Sequence, residues 1–208
     1  MTKKTICLSL AWSVSLATVG LAIVAWGSDW RWHITSSPYQ IFPLLGLSAY
    51  GLMWSHYAAA AVRQLLGQPK QLLQLYFETT SIAVLILIAM HPSLLIYQRF
   101  RDGFGLPPHS YESYVAPGLG WVTLLATACL LIFLFYELRR LFGQRSWWQY
   151  AQMAVDLAML GIFYHALRLG TDIHGWFRGV WWFYGLSLVV MLAVTYSRRY
   201  IPSKPLSR

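Results

Sequence analysis

Six long apolar stretches separated by short polar or Gly/Pro-rich breaks dominate the chain: Ile6 to Gly27, Ile41 to Leu65, Leu72 to Tyr97, Pro117 to Leu138, Trp147 to Leu169 and Val180 to Tyr196. Each is long enough for the ~20-residue helix that crosses a bilayer. No repeat of about 20 to 50 residues is evident. The pattern predicts an all-α polytopic membrane protein, a bundle of six transmembrane helices forming a single domain over residues 1–200. Residues 201–208, within a tail that holds two prolines, read as a short cytoplasmic end. Met1-Thr-Lys-Lys leads into an apolar run with no small-residue cleavage pattern, so the first helix is expected to be retained rather than removed as a signal peptide.

Composition supports the membrane reading. Of 208 residues, 57% are apolar and 11% charged, against roughly 25% charged in soluble domains. The formal charge of +9 would suit a nucleic-acid binder if it were clustered, but the basic residues sit between the apolar runs. Lys3, Lys4, Arg63, Lys70, Arg139, Arg140, Arg145, Arg198, Arg199, Lys204 and Arg208 fall on one side; Arg31, Arg99, Arg101, Arg168 and Arg178 fall on the other. By the positive-inside bias both termini are cytoplasmic and nucleic acid is excluded as a partner. Trp30, Trp32, Tyr39, Tyr111, Tyr114 and Trp176 lie in the outer segments, where such rings mark the headgroup level. Cys7 and Cys129 both fall inside spans and suggest neither a disulfide framework nor a metal pair. No Gly-x-Gly-x-x-Gly or Gly-x-x-x-x-Gly-Lys pattern occurs, so a nucleotide-using partner would be a separate chain.

Polar residues inside the apolar runs carry the candidate chemistry, because each costs free energy in lipid unless paired. His33, His109 and His174 read as solvated loop residues, whereas His56, His91 and His165 lie within or at the ends of spans. His91 is 19 residues beyond Leu72 and His165 is 18 beyond Trp147, roughly 28 Å and 27 Å of helical rise. Both spans run outward, so the two imidazoles are expected at equal depth, where they can grip one iron porphyrin from opposite faces. Arg168, three residues after His165, can pair with a haem propionate. The alternative is that both histidines only anchor helix ends at the interface. On the inner side, His56, Glu78, Gln152 and Asp156 form a possible proton-coupled or quinone-binding set, or pair among themselves to hold the bundle.

The second-span stretch Gly46-Leu-Ser-Ala-Tyr-Gly-Leu-Met-Trp through Arg63-Gln-Leu-Leu-Gly67, Met90-His91-Pro92 ending the third span, and Trp147-Trp-Gln-Tyr-Ala-Gln152 with Tyr164-His165-Ala-Leu in the fifth carry a family likeness. In these features the chain resembles the ferric reductase-like transmembrane superfamily, and is similar to the haem-binding subunit of the periplasmic methionine sulfoxide reductase system. The resemblance implies one haem b held by His91 and His165, with electrons crossing from a cytoplasmic donor to an outer acceptor in a bacterial inner membrane. Two-haem members carry a further histidine on each of those helices; here Phe77 or Glu78 and Gln152 stand at those positions, so one haem per chain is expected. A flavin, a quinone or a redox partner's cofactor would then bridge the inner half. The competing expectations are a small proton-coupled transporter using His56, Glu78 and Asp156, and a cofactor-free assembly subunit.

Overall fold

The computed structural model describes residues 2–28, 38–137 and 143–200. Trp30, Arg31, Trp32, His33, Arg139, Arg140 and the 201–208 tail lie outside the described residues. The elements are α1 (Lys3–Ser28), α2 (Pro38–Leu65), a 3₁₀ turn (Lys70–Leu73), α3 (Gln74–Arg101), the short α4 (His109–Glu112), α5 (Gly120–Tyr136), α6 (Trp148–Leu169) and α7 (Gly175–Tyr200). The described residues contain helices and no strands. Three segments, Lys3–Ser28, Lys70–Arg101 and Gly175–Ser197, are long and apolar enough to cross a membrane. Helices α2 and α6 have the length with a more polar composition, and α5 is a shorter apolar helix of 17 residues.

Neighbouring helices pack antiparallel. Trp26 Nε1 at the end of α1 donates to the Gln40 carbonyl at the start of α2, and Ser15 meets Ser55 farther along the same pair. Phe42 meets His91, and His56 meets Thr80, across α2 and α3. Trp121 stacks on Tyr164, and Tyr136 on Trp148, across α5 and α6. Helix α2 is central, packing against α1 and α3 and also touching α6 and α7. In contrast, α3 and α6 do not pack closely on each other. Many large apolar side chains, among them Leu16, Ile82, Leu124, Leu157, Leu186 and Val190, point outward from the bundle, as a lipid-facing surface requires.

Third-span residues depart from the expected boundary. Pro92 lies inside α3, which continues to Arg101, so Met90-His91-Pro92 does not end the helix. Proline cannot donate to the carbonyl four residues earlier, yet the surrounding helix persists and extends the span well past His91. The end comes at a glycine turn. Gly103, at φ +84°, donates to the Phe100 carbonyl while Phe104 N–H reaches the Arg99 carbonyl. This Schellman arrangement satisfies the last orphan carbonyls and uses a left-handed position that glycine adopts without cost.

Two clusters form the interior. The larger one is mainly aromatic and joins α2 to α7 through Tyr50, Trp54, Phe177, Trp181 and Tyr184, with Ala158 and Met159 added from α6. The smaller one joins α1, α2 and the start of α3 around Cys7, Ala11, Ala59, Leu73 and Tyr76. Beside it, Ser15, Ser55 and Tyr76 bring three hydroxyls together at 2.8–3.0 Å. Mutual pairing of this kind is how polar side chains survive in an apolar bundle.

Candidate functional site: a pair of tethered histidines

His91 is half-buried on α3 with its ring against α2. Gly46 makes the approach possible: a Cβ at that position would fall 2.8 Å from His91 Cε1 and 2.9 Å from Nδ1. His91 Nδ1 lies 2.6 Å from the Phe42 carbonyl. A carbonyl only accepts, so Nδ1 carries the proton and Nε2 keeps its lone pair. His165, half-buried on α6, repeats the arrangement with a longer contact of 3.3 Å from Nδ1 to the Val122 carbonyl on α5. An imidazole whose Nδ1–H is held by a backbone carbonyl has its ring oriented and its Nε2 prepared to coordinate a metal.

The two rings sit at nearly the same depth. Tyr50, one turn along α2 from Gly46, meets Phe163, two residues before His165. Both donors fit an iron porphyrin in kind, being imidazoles tethered through Nδ1 to backbone carbonyls of neighbouring helices.

Arg168 is exposed at the end of α6, which does not favour it as the partner of a buried propionate. The remaining polar residues do not gather into one inner site. His56 Nε2 lies 2.6 Å from Thr80 Oγ1, which itself donates to the Tyr76 carbonyl at 2.7 Å. Since the hydroxyl proton is committed, His56 Nε2–H must be the donor, and its ring lies edge-on to Phe77 at a centroid distance of 5.3 Å. Glu78 faces outward on α3 and accepts from Gln74 Nε2 at 3.0 Å. Gln152 is exposed on α6. Asp156 is buried at 9% exposure and accepts from Tyr57 Oη at 2.7 Å and Tyr196 Oη at 2.6 Å, joining α2, α6 and α7. Among the described residues no group of three or more His, Cys, Asp or Glu side chains is placed to hold a metal ion; a haem needs only the two axial nitrogens.

A second polar assembly caps the same end of the bundle as the histidine pair. Arg99, 7% exposed, donates from Nη2 to Ser113 Oγ and lies over the Phe104 ring at 3.4 Å. Tyr114 lies 5.7 Å from the same guanidinium and packs on Phe42, which packs on His91. Asp102 accepts from Tyr39 Oη at 2.9 Å and from Gln98 Nε2 at 3.0 and 3.1 Å. The Tyr39 hydrogen bond, followed by that from Gln98, holds the Asp102 carboxyl below its ordinary range. Sequence inspection counted Arg99 only as an outer charge; its position eight residues after His91, two turns along one helix, was the available signal. Nothing local in the sequence tied Gly46 to His91, because the two are 45 residues apart. Comparison with protein-family models, curated proteins and solved structures finds no match to this chain, so its function has to be argued from its own geometry.

Proposed function

We propose that the protein is a membrane electron-transfer subunit that holds one haem b between α3 and α6, with His91 and His165 as axial ligands. The observation that carries this reading is the matched tethering: each imidazole directs Nδ1–H to a carbonyl of a neighbouring helix and keeps Nε2 for coordination. When bound, a bis-histidine haem supplies one-electron transfer at an iron with no open position for oxygen. The residues of this chain orient the ligands and exclude water with the aromatic cluster at Tyr50, Phe163 and Trp181. Electrons would come from a quinol, a flavin or a redox partner on the cytoplasmic side, where both termini are placed by the charge bias, and pass to an outer acceptor. On this reading the chain has six spans and belongs with the ferric reductase-like superfamily, in a bacterial inner membrane.

The transporter alternative draws less support. His56, Glu78 and Asp156 occupy three separate places, with His56 and Asp156 each engaged by a neighbouring helix. The test is the visible spectrum of protein expressed with ample haem and purified, before and after dithionite. A Soret band that shifts on reduction, sharp α and β bands, and about one haem per chain by pyridine haemochrome are expected. A colourless protein overturns the proposal.

A further inference from the structure

Helix α1 carries two faces of different character. Cys7, Ala11, Ser15, Thr18, Ala22 and Ala25 are buried, and Ser15 binds Ser55 of α2. Around the helix from that seam, a groove of about 620 Å³ runs along α1 from Lys4 to Leu16. Leu8 and Trp12 form its fixed wall, because both pack against the cluster around Leu73 and Tyr76, and the Trp12 ring stands edge-on to Tyr76 at 5.3 Å. Ser9 and Ser13 are the small side chains beside that wall, and their size leaves the room. Leu16, 70% exposed, lies at one end of the groove, and the exposed Lys4 stands at the other. The two are twelve residues apart, roughly 18 Å of helical rise. That length is about half of the ~30 Å hydrocarbon core with a margin for the headgroup level.

The mouth of this groove is cationic. Lys4 makes no ion pair among the described residues, Lys3 precedes it, and Lys70 opens the 3₁₀ turn that packs against α1. Before Glu78 the chain contains one acidic residue, Asp29, which follows the far end of α1. Glu78 itself is engaged by Gln74. We propose that the groove is a binding site for an anionic phospholipid, with its phosphate on Lys4 and one acyl chain laid along Leu8, Trp12 and Leu16. The charge at the mouth selects the headgroup, and the apolar wall, one leaflet long, takes the chain. By the charge bias the lipid belongs to the cytoplasmic leaflet. A second copy of the chain suits this face less well, since two copies related by a two-fold axis would set Lys4 against Lys4. The site does not depend on the haem reading.

The test uses the full-length protein in a neutral detergent, titrated with dioleoyl phosphatidylglycerol or dioleoyl phosphatidylcholine, with native mass spectrometry counting the lipids retained. The unmodified protein should hold one phosphatidylglycerol about fivefold more tightly than phosphatidylcholine, the preference expected from one lysine at an anionic headgroup. Lys4→Gln should bring the two lipids to equal affinity. Ser13→Leu, which fills the groove and leaves Lys4 in place, should weaken both. Positions 4 and 13 are exposed, so thermal unfolding without added lipid should be unchanged in either variant. Equal retention of the two lipids by the unmodified protein overturns the anionic site, and this arm needs no substitution. A preference that survives Lys4→Gln, or binding untouched by Ser13→Leu, places the lipid elsewhere on the basic side and also overturns the proposal. A dimer that Ser13→Leu converts to monomer makes a second copy the occupant and overturns it as well.

Discussion

His56 and His91 are both half-buried imidazoles facing α2 or α3 neighbours, yet they are tied in opposite ways. His56 donates through Nε2 to a threonine hydroxyl whose own proton is already committed, and so joins α2 to α3. His91, and more loosely His165, donate through Nδ1 to backbone carbonyls and leave Nε2 available. In an apolar bundle a polar group left without a partner is costly. The two histidines thus differ in which nitrogen the partner takes.

The comparison breaks most sharply on haem content. His91→Ala or His165→Ala is expected to abolish the low-spin spectrum, whereas His56→Ala should leave about one haem per chain, as should His109→Ala and His174→Ala. A full spectrum in either of the first two would remove the distinction.

Asp156 extends the contrast to stability. Asp156→Ala strands two phenol hydroxyls that converge from α2 and α7, and should cost about 3 kcal/mol, by the usual penalty for losing hydrogen bonds to a buried carboxylate. Haem binding should survive at temperatures where the protein remains folded. The measurement is thermal unfolding in detergent, compared with the milder Tyr57→Phe.

Gly46→Ala sharpens the question of tethering. Its added methyl would meet the His91 ring at 2.8 Å and push Nδ1 away from the Phe42 carbonyl. A roughly tenfold loss of haem affinity is expected, about the worth of one good hydrogen bond, while Gly20→Ala, which meets nothing within 4 Å, should have no such effect. Thr80→Val gives the matching test at His56: destabilisation of about 1 kcal/mol with an unaltered spectrum.

The smallest effect concerns the polar cap. Because Asp102 titrates below its ordinary range in the folded protein, its contribution is fully present above the unfolded carboxyl value near 4. It is lost as pH falls through the lowered value. Hydrogen exchange across residues 103–119 should accelerate more in acid than the intrinsic rate predicts. Asp102→Asn should remove that acid dependence.

Much of the fold was legible because lipid imposes a simple rule on sequence: long apolar runs form helices and polar residues punctuate them. Helix locations agree with the six runs to within a few residues at most ends. The chief exceptions are α3, which runs through Pro92 to Arg101, and α7, which begins at Gly175. Proline at position 92 misled because a helix held by its neighbours tolerates the missing donor. The expectation of equal depth for His91 and His165 came from the same kind of rule, as helical rise is fixed per residue.

Sequence spacing placed Glu78, Gln152, Asp156 and His56 on one half of the bundle and suggested a shared site, but depth does not specify the rotational face or the neighbour. By itself the sequence determined a helical, apolar chain and the heights of its polar groups, because both follow from local composition and rise. Only the tertiary structure decided which carbonyl takes Nδ1 of each histidine, that tyrosines from two helices close on Asp156, and that Arg99 rather than Arg168 is buried. Those outcomes depend on the azimuth at which distant helices meet, and no local periodicity encodes the partner.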